Sequence, residues 1–235
     1  MRYLFIIFLC MSFSSYTFAQ RIPQGERTSI SFGTQIEIPT GEYNQIHNQL
    51  NVGIGGSFLT RTKIPFLQSG INFTYAKTGK YADDIFLETN EFISGTEIYE
   101  RANLTVKHKI FRTNGVLRFK PFKGPIQPYL EGMAGVKTYT STAKIEQGEG
   151  RNSYVVSRDN IERSFTGSLG WAAGIKIQLT RGVFLEGRYE KTEGGMASYI
   201  DSDSFHLNPQ GNYEYDLLSS KTNSNIIHLG ISLDF

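Results

Sequence analysis

Asn225-Ile-Ile-His-Leu-Gly-Ile-Ser-Leu-Asp-Phe235, the stretch on which the sequence stops, decides the fold. Ile227, Leu229, Ile231, Leu233 and Phe235 fall on one side of an extended strand, and His228, Gly230, Ser232 and Asp234 on the other. A strict period of two, apolar on one face only, marks a strand that separates two environments. An oily face of this kind set in lipid requires both strand edges to be paired, because lipid offers no partner to an open backbone group. The strand is therefore predicted to pair with the first strand of the chain and close a barrel.

Working outward, the same alternation recurs upstream. Thr28, Ile30, Phe32, Thr34, Ile36 and Ile38 oppose Ser29, Ser31, Gly33, Gln35 and Glu37. Leu50, Val52, Ile54 and Phe58 oppose Asn51, Gly53, Gly55, Ser57 and Arg61; Leu67, Ile71, Phe73 and Tyr75 oppose Gln68, Gly70, Asn72 and Thr74. A fourth strand, Leu104 to Lys120, is irregular. Val106 and Ile110 favour even positions and Leu117 and Phe119 odd ones, which predicts a bulge near Asn114-Gly115. The fifth sets Leu130, Ala134 and Val136 against Tyr129, Glu131, Met133, Gly135 and Lys137. In the sixth, Phe165, Leu169, Trp171, Ala173, Ile175, Ile177 and Leu179 oppose Ser164, Thr166, Ser168, Gly170, Gly174, Lys176 and Gln178. It exceeds the ~9–11 residues that a tilted strand needs to cross hydrocarbon, so its upper end should project beyond. The seventh sets Val183, Leu185 and Tyr189 against Glu186, Arg188 and Glu190.

The connections alternate in length. Lys63-Ile64-Pro65, Pro121 to Gln127 and the Arg181-Gly182 hairpin are short. Polar loops are expected from Pro39-Thr40-Gly41 to about Gln49, from about Gly79 to Asn103, from about Ala143 to Glu162, and from about Thr192 to Thr222. An even strand count with this alternation predicts an all-β, eight-stranded antiparallel up-and-down transmembrane barrel, with four long outer loops and both termini periplasmic.

Bulk properties agree with one such domain. The 235 residues carry 24 Lys+Arg against 22 Asp+Glu, which gives no electrostatic case for nucleic acid. No apolar run reaches the ~18 residues of a membrane helix, which leaves barrel strands untouched. At the start, Arg2, the apolar run Tyr3 to Phe13 and Thr17-Phe18-Ala19 before Gln20 read as a cleaved export signal. The expected organisation is a signal peptide over 1–19 and a barrel domain over 20–235. Cys10, the only cysteine, lies in that leader, so the mature chain should hold no disulfide and no cysteine-ligated metal.

A soluble, lipocalin-like carrier also alternates polar and apolar residues. The polar face favours the membrane barrel, because Gly33, Gly53, Gly55, Gly70, Gly135, Gly170, Gly174 and Gly230 all lie on it. Water favours larger, β-prone polar residues there, whereas the crowded interior of an eight-stranded barrel needs small ones. On this assignment Glu131, Lys137, Lys176, Glu186, Arg188 and Glu190 point inward, and the expectation is an ion-paired polar plug and not a conducting path.

Catalytic groupings are sparse. His228 and Ser232 share a face, but four strand residues span ~13 Å, too far for a nucleophile and its base. His47 and His108 show no partner in the sequence. Asp201, Asp203 and His206, or Asp83 and Asp84, could ligate a divalent cation, yet no EF-hand spacing is present and a solvated acidic loop is the expectation. Phosphate loops, nucleophile elbows and zinc spacings are missing, and no cofactor is expected.

The leader ending Thr-Phe-Ala-Gln, Pro39-Thr-Gly-Glu-Tyr43, Pro128-Tyr-Leu-Glu-Gly-Met-Ala-Gly135 and Phe184-Leu-Glu-Gly-Arg-Tyr189 resemble the PorT-like outer-membrane β-barrel family of Bacteroidetes-type bacteria. The resemblance covers nearly all of the mature chain. It implies an integral outer-membrane protein without catalytic residues, some relatives assisting a secretion system and others resembling the OmpA membrane domain or surface adhesins. The closing strand likewise looks like the insertion signal of outer-membrane barrels, with Leu229, Ile231, Leu233 and Phe235 as the residues read by the barrel-assembly machinery. The implied partners are outer-membrane lipid, that machinery, and a surface or secretion-system protein. The alternatives are an outer-membrane enzyme acting on lipid or peptide at the rim, and the soluble carrier.

Overall fold

The computed structural model describes residues 28–46, 49–93, 96–147, 154–200, 204, 206–207 and 213–235; the proposed leader lies outside them. Eight strands form the barrel: β1 Thr28–Pro39, β2 Asn51–Arg61, β3 Leu67–Ile93, β4 Thr96–Phe119, β5 Ile126–Gln147, β6 Tyr154–Thr180, β7 Val183–Gly194 and β12 Ser224–Asp234. Between β7 and β12 lie the short strands β8 Met196–Ile200, β9 His206–Leu207, β10 Tyr213–Glu214 and β11 Leu217–Lys221. A single-turn helix, α1 Glu42–Ile46, follows β1.

Each barrel strand pairs antiparallel with its sequence neighbours, and β12 pairs with both β7 and β1, closing the sheet. The Thr28 and Phe235 backbones exchange hydrogen bonds of 2.8 and 3.0 Å, so no edge is left at the seam. Closure on the last strand is what its one-sided pattern predicted. The Arg181-Gly182 hairpin joins β6 to β7 in two residues, with Gly182 at φ 75°, a left-handed conformation that glycine adopts without strain.

The facing follows the alternation. Phe32, Ile54, Val136, Leu169, Trp171, Leu229 and Ile231 stand exposed on the outer wall. Ser31, Asn72, Glu131, Lys137, Lys176, Glu186 and Ser232 are buried inside. Charge within and hydrocarbon without is the inverse of a water-soluble barrel such as the lipocalin-like alternative. The inward glycines are there for space. A methyl on Gly174 would collide with the Tyr129 ring, and one on Gly33 with the backbone at Gly230.

Several expectations are corrected. No register shift occurs near Asn114-Gly115; the irregularities of the β3–β4 pair lie between Thr78 and Lys80 and between Thr89 and Phe92. Even positions of β4 point inward along its described length, including Leu104, Val106 and Ile110 as well as Arg112 and Arg118. The phase is constant, and what changes is the interior. It is polar between the apolar walls and apolar farther out. The stretches expected as loops over Gly79 to Asn103 and Ala143 to Glu162 are largely strand, continuing β3 into β4 and β5 into β6. In the second stretch the outward residues Lys144, Glu146, Arg158 and Asn160 are polar and concealed the strand, since a wall in water needs no apolar outer face. Within the stretch expected as a loop over Thr192 to Thr222, β8 and β11 form a two-stranded sheet. Arg61 and Gln178 have the inward phase but sit exposed at the short-turn end, where the barrel opens to solvent.

Ile175→Arg or Leu169→Arg, each costing ~2–4 kcal/mol on a lipid-facing wall, should block assembly into membranes, whereas Gln178→Arg is tolerated. Equal recovery of all three as heat-modifiable, membrane-embedded protein would contradict the facing.

Candidate functional site: the charged interior and its cap

The charges inside form three groups stacked along the barrel. In the middle, β4 supplies Arg112 and Arg118, β5 Glu131, and β7 the alternating Glu186, Arg188 and Glu190. Arg112 donates to Glu190 at 2.8 Å, and Arg188 reaches the other oxygen of Glu190 at 2.6 Å. Arg188 also lies 3.5 Å from Glu131, which accepts from Arg118 Nε at 2.6 Å. Arg118 donates to Glu186 at 2.8 Å and stacks 3.9 Å over the Tyr129 ring, while the Tyr129 hydroxyl hydrogen-bonds the same Glu186 oxygen. Three guanidinium groups thus alternate with three carboxylates in a linear chain that spans the barrel from β4 to β7.

At the short-turn end, Lys176 donates to Asp234 at 2.8 Å and Ser29 at 2.7 Å, and Lys120 reaches Asp234 at 3.1 Å. At the opposite end, Lys137 donates to the Thr222 carbonyl at 2.8 Å and to the Thr192 and Ser224 hydroxyls at 3.2 Å, with Glu37 3.9 Å away. Glu131, Glu186, Arg188 and Glu190 are therefore brought together, while Lys176 and Lys137 belong to the two flanking groups. Arg112, Arg118 and Asp234 complete the interior and were not singled out from the sequence. Leu117 and Phe119 flank Arg118 and point outward, a signal that could have placed it inside.

Beyond Lys137 the mouth is covered. Tyr43 of α1 packs edge-to-face on Tyr139 and Tyr199, with centroids 6.0 and 5.9 Å apart, beside Ile110 and Ala197. Burial pushes the Tyr43 hydroxyl well above its usual range. Ile200 joins Ala102, Leu104, Val106, Ala143 and Ile145 in a second apolar cluster. The Tyr199 and Ser220 hydroxyls lie 2.7 Å apart, and the Lys221 amide donates to Glu42, tying β8, β11 and α1 together.

His108, for which the sequence offered no partner, has its Nδ1 2.8 Å from the Ser141 hydroxyl. Both residues are buried, so a substrate has no approach to this pair. His228 is buried among the interior charges, and Ser232 bonds instead to Ser29 and Asp234. His47, Asp201 and Asp203 lie outside the described residues, as do the side chains of Asp83, Asp84 and His206. Leu229, Ile231, Leu233 and Phe235 stand on the outer wall of β12 and at its end.

No family model matches the chain, and no curated protein matches it. Among solved structures it is similar to Neisserial surface protein A, at 13% identity and TM-score 0.45, over 88% of this chain and 97% of that one. It is also similar to Ail, the attachment invasion locus protein of Yersinia pestis, at 14% identity and TM-score 0.38, over 90% of this chain and 100% of that one. A major outer membrane protein from Thermus thermophilus aligns at 11% identity and TM-score 0.44, over 88% of this chain and 99% of that one.

Arg118→Ala removes the guanidinium that Glu186 and Glu131 share, leaving Glu131 with only the 3.5 Å contact to Arg188, and should lower unfolding stability by about 3–5 kcal/mol. The double replacement Arg118→Met, Glu131→Gln should cost less than the sum of its parts, as read by urea unfolding in detergent or vesicles.

Proposed function

We propose that the chain is a non-enzymatic integral protein of the bacterial outer membrane, with both termini periplasmic and its capped end facing outward. The observation that carries this reading is the apolar outer wall around a charge-paired interior. Exposed Phe32, Val136, Leu169 and Leu229 find a favourable environment in acyl chains and nowhere in water. Burying an arginine–glutamate chain is tolerable only when each charge is paired, as these are. The short turns lie at the end that holds Thr28 and Phe235, the arrangement of outer-membrane barrels with periplasmic termini.

The interior serves as a plug. It ties β4 to β7 across the lumen and leaves the outward segments as the part able to meet a partner, since recognition concentrates on loops held by a rigid scaffold. That partner role is surface binding, envelope structure or assistance to a secretion system, in line with the PorT-like resemblance. On the same reading residues 1–19 are removed on export, and Leu229, Ile231, Leu233 and Phe235 are recognised by the barrel-assembly machinery. An enzyme at the rim is the lesser reading, because the Ser141–His108 pair is enclosed.

Fractionated cells should yield the protein in outer membranes, resistant to carbonate and urea washes; recovery as a soluble periplasmic protein would overturn the reading. Planar-bilayer recordings of purified protein should show no stepwise conductance. Replacing Met196 to Lys221 by a short turn should preserve insertion, because Thr192, Thr222 and Ser224 around Lys137 remain, while abolishing whatever phenotype loss of the gene produces.

A further inference from the structure

The outward face of β3 to β6 changes character within one register row. The last aromatic row runs Tyr75–Phe111–Thr138–Phe165, each residue opposite the next. The next outward-facing row is Lys77–Lys109–Thr140–Arg163, two residues or ~7 Å farther along the strands. Beyond it come Lys107–Thr142–Asn160 and Thr105–Lys144–Arg158. Six cations thus face outward on one side of the barrel. Lys77, Lys107, Arg158 and Arg163 are exposed, and Lys109 and Lys144 half-buried.

Among the described residues of these three rows every charge is positive. Glu146 is held by Lys144 at 2.5 Å, and among the described residues none of the other five cations has an ion-pair partner. The strands β1 and β12 contain no lysine or arginine, and the sole one in β2, Arg61, is at the short-turn end. Lys107, Lys109, Thr142, Lys144 and Arg158 line a shallow groove of about 110 Å³. The Arg163 guanidinium lies 4.7 Å over the Phe165 ring, so the first cation of the patch rests directly on the edge of the apolar wall.

We propose that this face binds the anionic, phosphate-bearing headgroups of lipids in the outer leaflet. The inference rests on the membrane reading above and adds to it a ligand class and a side. A row of cations immediately beyond the acyl-chain boundary stands at headgroup depth, where long basic side chains extend from the apolar layer toward phosphate. The Thr140 hydroxyl, between Lys109 and Arg163 in the first cationic row, supplies a further donor. A soluble polyanion would be met equally well by cations at the outer tips; the contiguity with Phe111 and Phe165 favours lipid.

The test compares the full chain with the variant Lys107→Gln, Lys109→Gln, Arg158→Gln, Arg163→Gln. These positions lie outside the interior network, and the variant should keep its heat-modifiable gel shift and its resistance to carbonate washing. Both proteins, in neutral detergent, are titrated with dioleoyl phosphatidic acid, phosphatidylcholine, inorganic phosphate and a sulfated oligosaccharide, and bound species are counted by native mass spectrometry. The wild type should retain phosphatidic acid over phosphatidylcholine by about tenfold, and the variant should lose that preference. An undiminished preference in the variant overturns the proposal, as does binding of inorganic phosphate or of the oligosaccharide without any preference between the two lipids. Embedding of both proteins without headgroup preference defeats this inference alone. Wild type that washes out of membranes defeats the membrane reading and this inference with it.

Discussion

The alternating chain of Arg112, Glu190, Arg188, Glu131, Arg118 and Glu186 is the interaction on which the rest of the structure depends. A closed sheet of eight strands has an interior only wide enough for side chains. When the outer wall is apolar, the alternate residues of every strand must be accommodated in that narrow space together. Charged residues survive there only as pairs, and the pairs fix which strand lies opposite which. Glycine where Tyr129 crosses, and small hydroxyl residues around Lys137 and Lys176, follow from the same shortage of room.

Farther from the short turns the logic reverses without any change in strand phase. Inward positions of β4 and β5 become Leu104, Val106, Ala143 and Ile145, and outward ones become Lys107, Lys109 and Lys144. The upper barrel is thus an ordinary water-facing wall with an apolar core, covered by Ile200, Tyr199 and Tyr43. One continuous sheet therefore serves two solvents. The crossover runs between Phe111 and Lys109, and between Phe165 and Arg163, where the proposed headgroup face begins.

This reversal also explains what was legible in the sequence. Stretches with one environment on each side, such as β12 and the part of β6 from Ser164 onward, could be read residue by residue, and their facing and closure followed. In β4 the two solvents meet within a single strand, so Val106 and Leu117 pointed to opposite phases and suggested a bulge that is not there. The stretches over 79–103 and 143–162 looked like loops because they are rich in polar residues and show no sustained period of two in the sequence. Opposite charges on one face of β7 announced a paired interior. Which partners meet depends on reach across the lumen, and cross-strand spacing does not reveal it: Arg112 lies beside Lys137 in register yet bonds Glu190.

The most direct test of the two-solvent wall is a spin-label scan of the outward positions of β4, namely 103, 107, 109, 111, 113, 115, 117 and 119, in protein reconstituted into vesicles. None of these side chains enters the interior, so the labels leave the ion network intact. Collision rates with oxygen should dominate from Phe111 to Phe119 and give way to a water-soluble nickel chelate from Lys109 outward, with the crossover between those two residues. Uniform access of the nickel chelate along the strand, or a crossover displaced into Gly115 to Phe119, would contradict the account.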